Sequence, residues 1–284
     1  MPRVAVIIPC YNHGRHLDDA VASVLAQTFV DFEIFVVNDG STDAFTVNLL
    51  KDYRRDKTTV LHKENGHLSS ARNHGIKNSR SEFILTLDAD DRFAPGFLEA
   101  AVKILDDEPR TGVVTCWTQC FGMKHHLITH KTGGGTVDFL SQNRCAASCL
   151  FRRRCWEDAG GYDETMKLGY EDWSFWIAVT GHGWSVHCIP QALFFYRVAE
   201  SSMVTGSDQI RPKLTRAMVH KHLAAYREHV EDVICEKERI IQKLGHNLDD
   251  LRGSAAYRAG RCLTNPLAAC RGVLKRLGMK TKQD

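Results

Sequence analysis

Three short acidic or polar clusters carry the chemistry legible in this sequence. Asp88, Asp90 and Asp91 follow an apolar run, Phe83–Leu87. Carboxylates packed at a strand end repel one another and lose hydration unless a cation sits among them. Oxygen-only ligands suit Mg²⁺ or Mn²⁺. The competing reading is a solvated acidic turn. Asp39 ends a second apolar run, Phe32–Val37, within Asn38-Asp39-Gly40-Ser41. A carboxylate there can accept hydrogen bonds from a base or a ribose. It can equally cap a helix, although Ser41, Thr42 and Asp43 also offer caps. Glu171-Asp172-Trp173 is the second acidic site. Transfer of a group to a hydroxyl needs a general base, and an acid beside an aromatic ring that can stack on a sugar face fits that role. Helix-N-terminal charge favoured by the macrodipole is the alternative.

The elements that position these residues alternate. Val4–Pro9 and Phe32–Val37 are continuous apolar runs, as buried parallel strands should be, and Thr59–His62 is a shorter one. Leu17, Ala20, Val21, Val24 and Leu25 follow helical spacing, as do segments over 42–56, Leu68–Asn78 and Pro95 to Leu105. Strand–helix alternation predicts an α/β fold with a mostly parallel sheet and helices on both faces. In such sheets ligands bind beyond the carboxyl ends of the strands. Cys10-Tyr11-Asn12, Asn38-Asp39-Gly40-Ser41 and Asp88-Ala89-Asp90-Asp91 should therefore converge on one edge. In the second half, Ala147–Phe151 reads as a strand, Arg153–Ala159 as a short helix and Glu171 as the start of another helix. Trp184–Ile189 and Ala192–Arg197 read as two strands, followed by a helical pattern from Ile210 to about Lys243.

Composition bounds the function. The chain has 284 residues and a net charge of +3, too small for a dedicated nucleic-acid binder. Cys116/Cys120 and Cys145/Cys149 share a spacing that invites zinc, but Cys10, Cys149 and Cys188 lie in apolar runs where cysteine behaves as a small hydrophobe. The absence of an export signal leads us to expect a reducing, cytoplasmic compartment and free thiols. No apolar run approaches the roughly 20 residues that span a bilayer. Beyond Leu251, Arg252, Arg258, Arg261, Arg271, Lys275, Arg276, Lys280 and Lys282 face one acid, Asp284. That tail suits an anionic membrane surface or a solvated terminal helix.

Several stretches together resemble the family 2 glycosyltransferases. They are Val6-Ile7-Ile8-Pro9-Cys10-Tyr11-Asn12, Val36-Val37-Asn38-Asp39-Gly40-Ser41-Thr42-Asp43, Asn65-Gly66 with Ser70-Ala71-Arg72-Asn73-His74-Gly75, Leu87-Asp88-Ala89-Asp90-Asp91, Gly160-Gly161-Tyr162-Asp163 and Glu171-Asp172-Trp173, in family order. The resemblance covers about residues 3–205. It implies a GT-A catalytic domain over 1–205, with a nucleotide-binding half, 1–112, and an acceptor-binding half, 113–205. A helical, basic extension follows over 206–284. It implies inverting transfer of one sugar from a nucleoside-diphosphate sugar, of UDP type, to a glycan, lipid-linked or peptide acceptor. It also implies that Pro9, Tyr11, Asn12, Asp39, Arg72 and Asp88 hold the nucleotide. Asp90, helped by Asp91, would bind Mn²⁺ or Mg²⁺. Asp172 would be the base, and Glu171 and Trp173 would line the acceptor site. Two departures stand out. Tyr196-Arg197 is followed by Val198-Ala199-Glu200-Ser201, without the His that many relatives carry there. The Gln-x-x-Arg-Trp signature of processive synthases is also absent, which favours single addition. The alternatives are a sugar nucleotidyltransferase, poorly matched by Tyr11-Asn12-His13-Gly14-Arg15 after the first strand, and a non-catalytic nucleotide-sugar-binding module.

Overall fold

The computed structural model describes residues 1–129, 133–199 and 203–264. It divides into two compact units, Met1–Val230 and Glu231–Asp284. In chain order the first unit contains β1 (Val4–Cys10), α1 (Gly14–Leu25), β2 (Phe32–Asp39), α2 (Ala44–Lys51), β3 (Thr58–Lys63), α3 (His67–Asn78), β4 (Phe83–Thr86), β5 (Arg92–Phe93) and α4 (Phe97–Asp107). It continues with β6 (Thr111–Gly122), β7 (Leu127–Ile128), α5 (Thr136–Ser141), β8 (Leu150–Arg152), α6 (Arg153–Asp158), α7 (Glu171–Gly181), β9 (Ser185–Val198), α8 (Met203–Lys221) and α9 (Leu223–Glu228). The second unit consists of α10 (Val230–Gly253), whose first residue closes the first unit, and α11 (Ala255–Thr264).

Among the described residues the strands form one sheet in the order β3-β2-β1-β4-β8-β6-β9-β5, with β7 on β6. The expected parallel core is β3-β2-β1-β4, whose pairings are all parallel. β8 then joins antiparallel to both β4 and β6, and β6 pairs parallel with β9. β1 is buried on both faces, as its unbroken apolar sequence requires. Val4, Val6 and Ile8 share a cluster with Leu17, Ala20 and Val21 of α1 on one face. On the other, α3 lies so close that a Cβ at Gly75 would meet the Ile7 Cγ2 at 2.5 Å and the Val37 Cγ2 at 3.0 Å. A side chain at position 75 would push α3, and the residues it carries, off the sheet.

Three local expectations are corrected, and two elements were not anticipated. The second helix is Ala44–Lys51 rather than 42–56, because Asp43 caps it: its carboxylate accepts the Thr46 N–H at 2.9 Å. The two strands expected over 184–197 are one, β9, bent by register shifts opposite Cys116–Trp117 and Trp117–Thr118. β6 and α5 carried no expectation, and β6 is nevertheless the longest contact of β9. The helical pattern does not stop near Lys243; α10 runs to Gly253. Arg258 and Arg261 of the basic tail lie on α11, while Pro266, Leu267, Val273, Arg271, Lys275, Arg276, Lys280 and Lys282 lie outside the described residues. Among the described residues no helix is long and apolar enough to cross a membrane.

Candidate active site

The three strand ends do converge. Pro9 and Tyr11 after β1, Asp39 at the end of β2, and Asp88 and Asp90 after β4 line one cleft of about 400 Å³, with His13, Asn65, His67, Tyr196 and Arg197. A wide, open depression on α8 around Arg211, Pro212 and His220 has no carboxylate in its lining. Asp39 is buried and its Oδ1 accepts from Lys63 Nζ at 2.6 Å and from the Gly66 backbone N–H at 3.0 Å. Gly40, at φ +69°, allows the chain to turn against Asn65; a Cβ there would meet the Asn65 nitrogen at 2.7 Å. Because Asp43 caps α2, Asp39 is not spent as a cap and stays available to a ligand in the cleft.

Asn12 does not line the cleft. It sits at φ +59°, a conformation asparagine tolerates better than most residues. Its Oδ1 accepts from the Thr42 and Asp43 backbone N–H groups at 2.7 and 3.0 Å, and its Nδ2 donates to the Thr42 hydroxyl. It ties the β1 loop to the β2 loop and so shapes the cleft from behind.

The acid cluster after β4 divides. Asp90 faces the cleft, with its Oδ2 3.7 Å from His13 Nδ1. Burial, then the neighbouring Asp88 charge, raise the Asp90 carboxyl above its ordinary range. Asp91 is 1 % exposed, and its Oδ1 accepts the Arg197 N–H at 2.7 Å. Burial and the charges of Asp88 and Asp90 push it well upward. It braces the loop against β9 beneath the cleft wall. A divalent cation fits this chemistry: Asp88 and Asp90 both face the cleft, and the Asp88 charge raises the Asp90 carboxyl, a repulsion that a cation beside them would relieve. His13, in the turn between β1 and α1, also lines the cleft. Tyr196, Arg197 and Ala199 line the cleft, while Glu200 and Ser201 lie outside the described residues.

Arg72, on α3, joins the two halves. Its side chain is fully buried; Nη2 donates to Asp88 Oδ1 and Nη1 to Glu171 Oε1, each at 3.0 Å. A guanidinium donates in two directions from one rigid plane, which a lysine could not do. The next residue, Asn73, accepts the Tyr162 N–H and the Trp156 indole N–H through Oδ1 and donates to the Tyr162 carbonyl. This anchors the Gly160-Gly161 turn, where both glycines have positive φ. Successive α3 residues thus tie Asp88 after β4 to Glu171 of α7 and to the Gly160-Gly161 turn.

Glu171, Asp172 and Trp173 open α7, preceded by Tyr170 at φ +66°. Glu171 is buried, and burial followed by the Asp172 charge raises its carboxyl. Asp172 is half-buried, and burial raises its carboxyl as well. Asn143 Nδ2 donates to Asp172 Oδ2 at 3.0 Å, while Asn143 Oδ1 accepts the Cys145 N–H at 3.3 Å. That second bond fixes the amide so that its NH₂ faces the carboxylate. The Trp173 indole N–H donates to the Phe139 carbonyl at 2.6 Å, and its ring lies 5.1 Å from that of Tyr170. Asn143, Lys63, His13 and Tyr196 were not singled out as site residues from sequence. Lys63 meets Asp39 across 24 positions and Asn143 meets Asp172 across 29, His13 approaches Asp90 from the turn after β1, and Tyr196 enters the cleft from β9, so no local pattern marks them.

The glycosyl transferase family 2 model matches residues 5–165, more than half of the chain. A glycosyltransferase of Rickettsia typhi, itself uncharacterized, is 39 % identical over 128 residues, covering 45 % of this chain and 40 % of its own. An uncharacterized glycosyltransferase of Bacillus subtilis, EpsJ, is 43 % identical over 93 residues, covering 32 % of this chain and 27 % of its own. This chain therefore spans well under two thirds of those relatives. Among solved structures, S. aureus TarS 1–349 in complex with UDP-GlcNAc aligns with a TM-score of 0.61 at 20 % identity, covering 72 % of this chain and 60 % of that one. The fold is similar to that of a solved structure, and the family model matches more than half of the chain: the chain belongs to glycosyl transferase family 2.

Proposed function

We propose that this protein transfers a single sugar from a UDP-sugar to a hydroxyl of a glycan, lipid-linked or peptide acceptor, with inversion at the anomeric carbon. The observation that carries the reading is Arg72, which ties a cleft-facing carboxylate, Asp88, to the acid pair Glu171-Asp172 at the start of α7. Donor-side and acceptor-side acids thereby share one rigid frame. The UDP complexes of TarS support the choice of nucleotide.

In this reading Pro9, Tyr11, Asp39 and Asp88 bind the nucleotide, with Lys63 holding Asp39 in place. Asp90, beside Asp88, would hold Mn²⁺ or Mg²⁺, which would neutralise charge developing on the departing diphosphate. Asp172 takes the proton from the acceptor hydroxyl. The acceptor oxygen then bonds to the anomeric carbon from the face opposite the donor diphosphate, the carbon–oxygen bond to the diphosphate breaks, and UDP leaves. Asn143 occupies one Asp172 oxygen and leaves the other for the proton. Glu171 and Trp173 shape the acceptor side. The basic segment after Leu251 gives the enzyme reversible contact with an anionic membrane face, each cation contributing about 1 kcal/mol at low salt.

The test is to incubate the protein with Mn²⁺ and a panel of nucleotide sugars, with and without EDTA. Release of UDP that stops in EDTA and in Asp90→Asn supports the proposal. Release of pyrophosphate indicates a nucleotidyltransferase, and binding without turnover a binding module. Full activity in EDTA removes the metal role. Co-sedimentation with anionic liposomes at low salt, lost on truncation after Leu251, tests the membrane contact; indifference of the intact chain to liposomes refutes it.

A further inference from the structure

The long helix of the second unit has a surface that none of the chemistry above uses. α10 places apolar residues at alternating steps of three and four: Val230, Ile234, Ile241, Leu244, Leu248 and Leu251, with Lys237 at the one intervening position that breaks the series. Written as a heptad, these are the d and a positions of three successive repeats. Ile234, Ile241, Leu244, Leu248 and Leu251 are between 45 % and 62 % exposed. Val233, off this stripe, is buried and Ile240 half-buried, so that face of α10 is already covered, while the stripe itself stands exposed. Such a stripe is the seam that a second heptad-bearing helix covers by knobs-into-holes packing.

We propose that the stripe pairs with the same stripe of a second copy of this chain, the two α10 helices running antiparallel. Among the described residues α10 is the helix that carries this repeat, so the self-complementary partner is another α10. The antiparallel register is chosen by side chains. It sets Ile234 against Leu251 and Ile241 against Leu244 of the other copy, with Leu248 against Lys237. A parallel, in-register pair would instead stack Lys237 on its own copy at a seam position, bringing like charges together. Antiparallel pairing also brings the flanking Glu231 beside Arg252 of the other copy, and the two-fold axis makes that contact twice. The self-complementarity rests on this Glu231–Arg252 pair, made twice. This inference is independent of the active-site reading.

The experiment uses the full chain. Light scattering after size-exclusion chromatography should give twice the 32.0 kDa chain mass at micromolar concentration and a shift toward one chain mass on dilution. Ile241→Lys with Leu248→Lys should give a single chain mass while its UDP-induced thermal shift and far-ultraviolet circular dichroism match those of the parent. Glu231→Arg alone and Arg252→Glu alone should each raise the dimer dissociation constant roughly tenfold, the effect of turning two exposed attractive pairs repulsive. The double swap should return it to the parental value. A chain that is monomeric at every concentration overturns the proposal, whether or not it co-sediments with anionic vesicles; if it does co-sediment, the stripe belongs to lipid. Failure of the double swap to restore a dimer that either single swap weakens overturns the antiparallel arrangement.

Discussion

The carboxylates after β4 and those at the start of α7 are held in opposite ways. After β4, Asp88 and Asp90 keep 27 % and 22 % of their side chains open and line a cleft. At the start of α7, Glu171 is nearly closed off, and Asp172 is half-buried with one oxygen bonded to Asn143. The first arrangement suits groups that meet a ligand carrying its own charge. The second suits a proton acceptor, whose basicity rises as water is withdrawn. Arg72 belongs to both regions, so the comparison is also a statement about coupling: the charge that steadies the cleft is the same charge that steadies α7.

The largest effect expected from breaking this contrast is on turnover. Asp172→Asn keeps the shape and the Asn143 contact yet removes the proton acceptor, and should lower kcat by roughly 10²–10⁴-fold. UDP affinity, read by calorimetry, should be unchanged; a variant that loses UDP affinity and retains kcat would place Asp172 on the donor side. Next is stability. Arg72→Met leaves Glu171 buried without its cation and should cost about 3–5 kcal/mol in denaturant unfolding at constant m-value. Adding Glu171→Gln should recover part of that loss, and no recovery would mean that Arg72 acts chiefly through Asp88.

Asn143 sharpens the comparison at a smaller scale. A hydrogen bond to a charged group is worth about 1.5–3 kcal/mol, so Asn143→Ala should reduce kcat roughly tenfold or somewhat more. It should also move the acid limb of the pH–rate profile upward, because the lost donor had favoured the ionised base. An unshifted limb would show that Asn143 only packs. The smallest effect is a pH separation in the parent. The Asp172, Glu171, Asp90 and Asp91 carboxyls all have raised folded-state pKa values. Their contribution to stability is therefore full below the unfolded carboxylate range and lost as pH rises through the raised folded values. Acidification should protonate the base and reduce activity at a pH above about 4, the ordinary carboxylate value, while these groups add to rather than subtract from fold stability. Loss of fold preceding loss of activity on acidification would contradict the assignment.

The N-terminal half was legible because its signals are local. A buried parallel strand is an unbroken apolar run, and the polar residue that ends it must lie at the sheet edge where ligands bind. Reading Val4–Pro9, Phe32–Val37 and Phe83–Leu87 in that way placed Tyr11, Asp39, Asp88 and Asp90 around one cleft before any coordinates. The sheet beyond β4 is built from pairings across long stretches of chain. β8 inserts antiparallel between β4 and β6, and β9 bends through bulges, neither of which has a periodic signature.

By itself, then, the sequence determined the alternating core, the strand-end acids and the family motifs, because each depends on a few consecutive residues. Only the tertiary structure decided which acid faces the cleft and which is buried. Asp90 and Asp91 are adjacent in sequence and indistinguishable by type, yet successive residues of the turn point to different sides, and Arg197 from β9 claims one of them. It was likewise the fold that brought Asn143 to Asp172 across 29 positions and Arg72 to Glu171 across 99. Such contacts are fixed by how the sheet and helices pack against one another, and no local pattern encodes them.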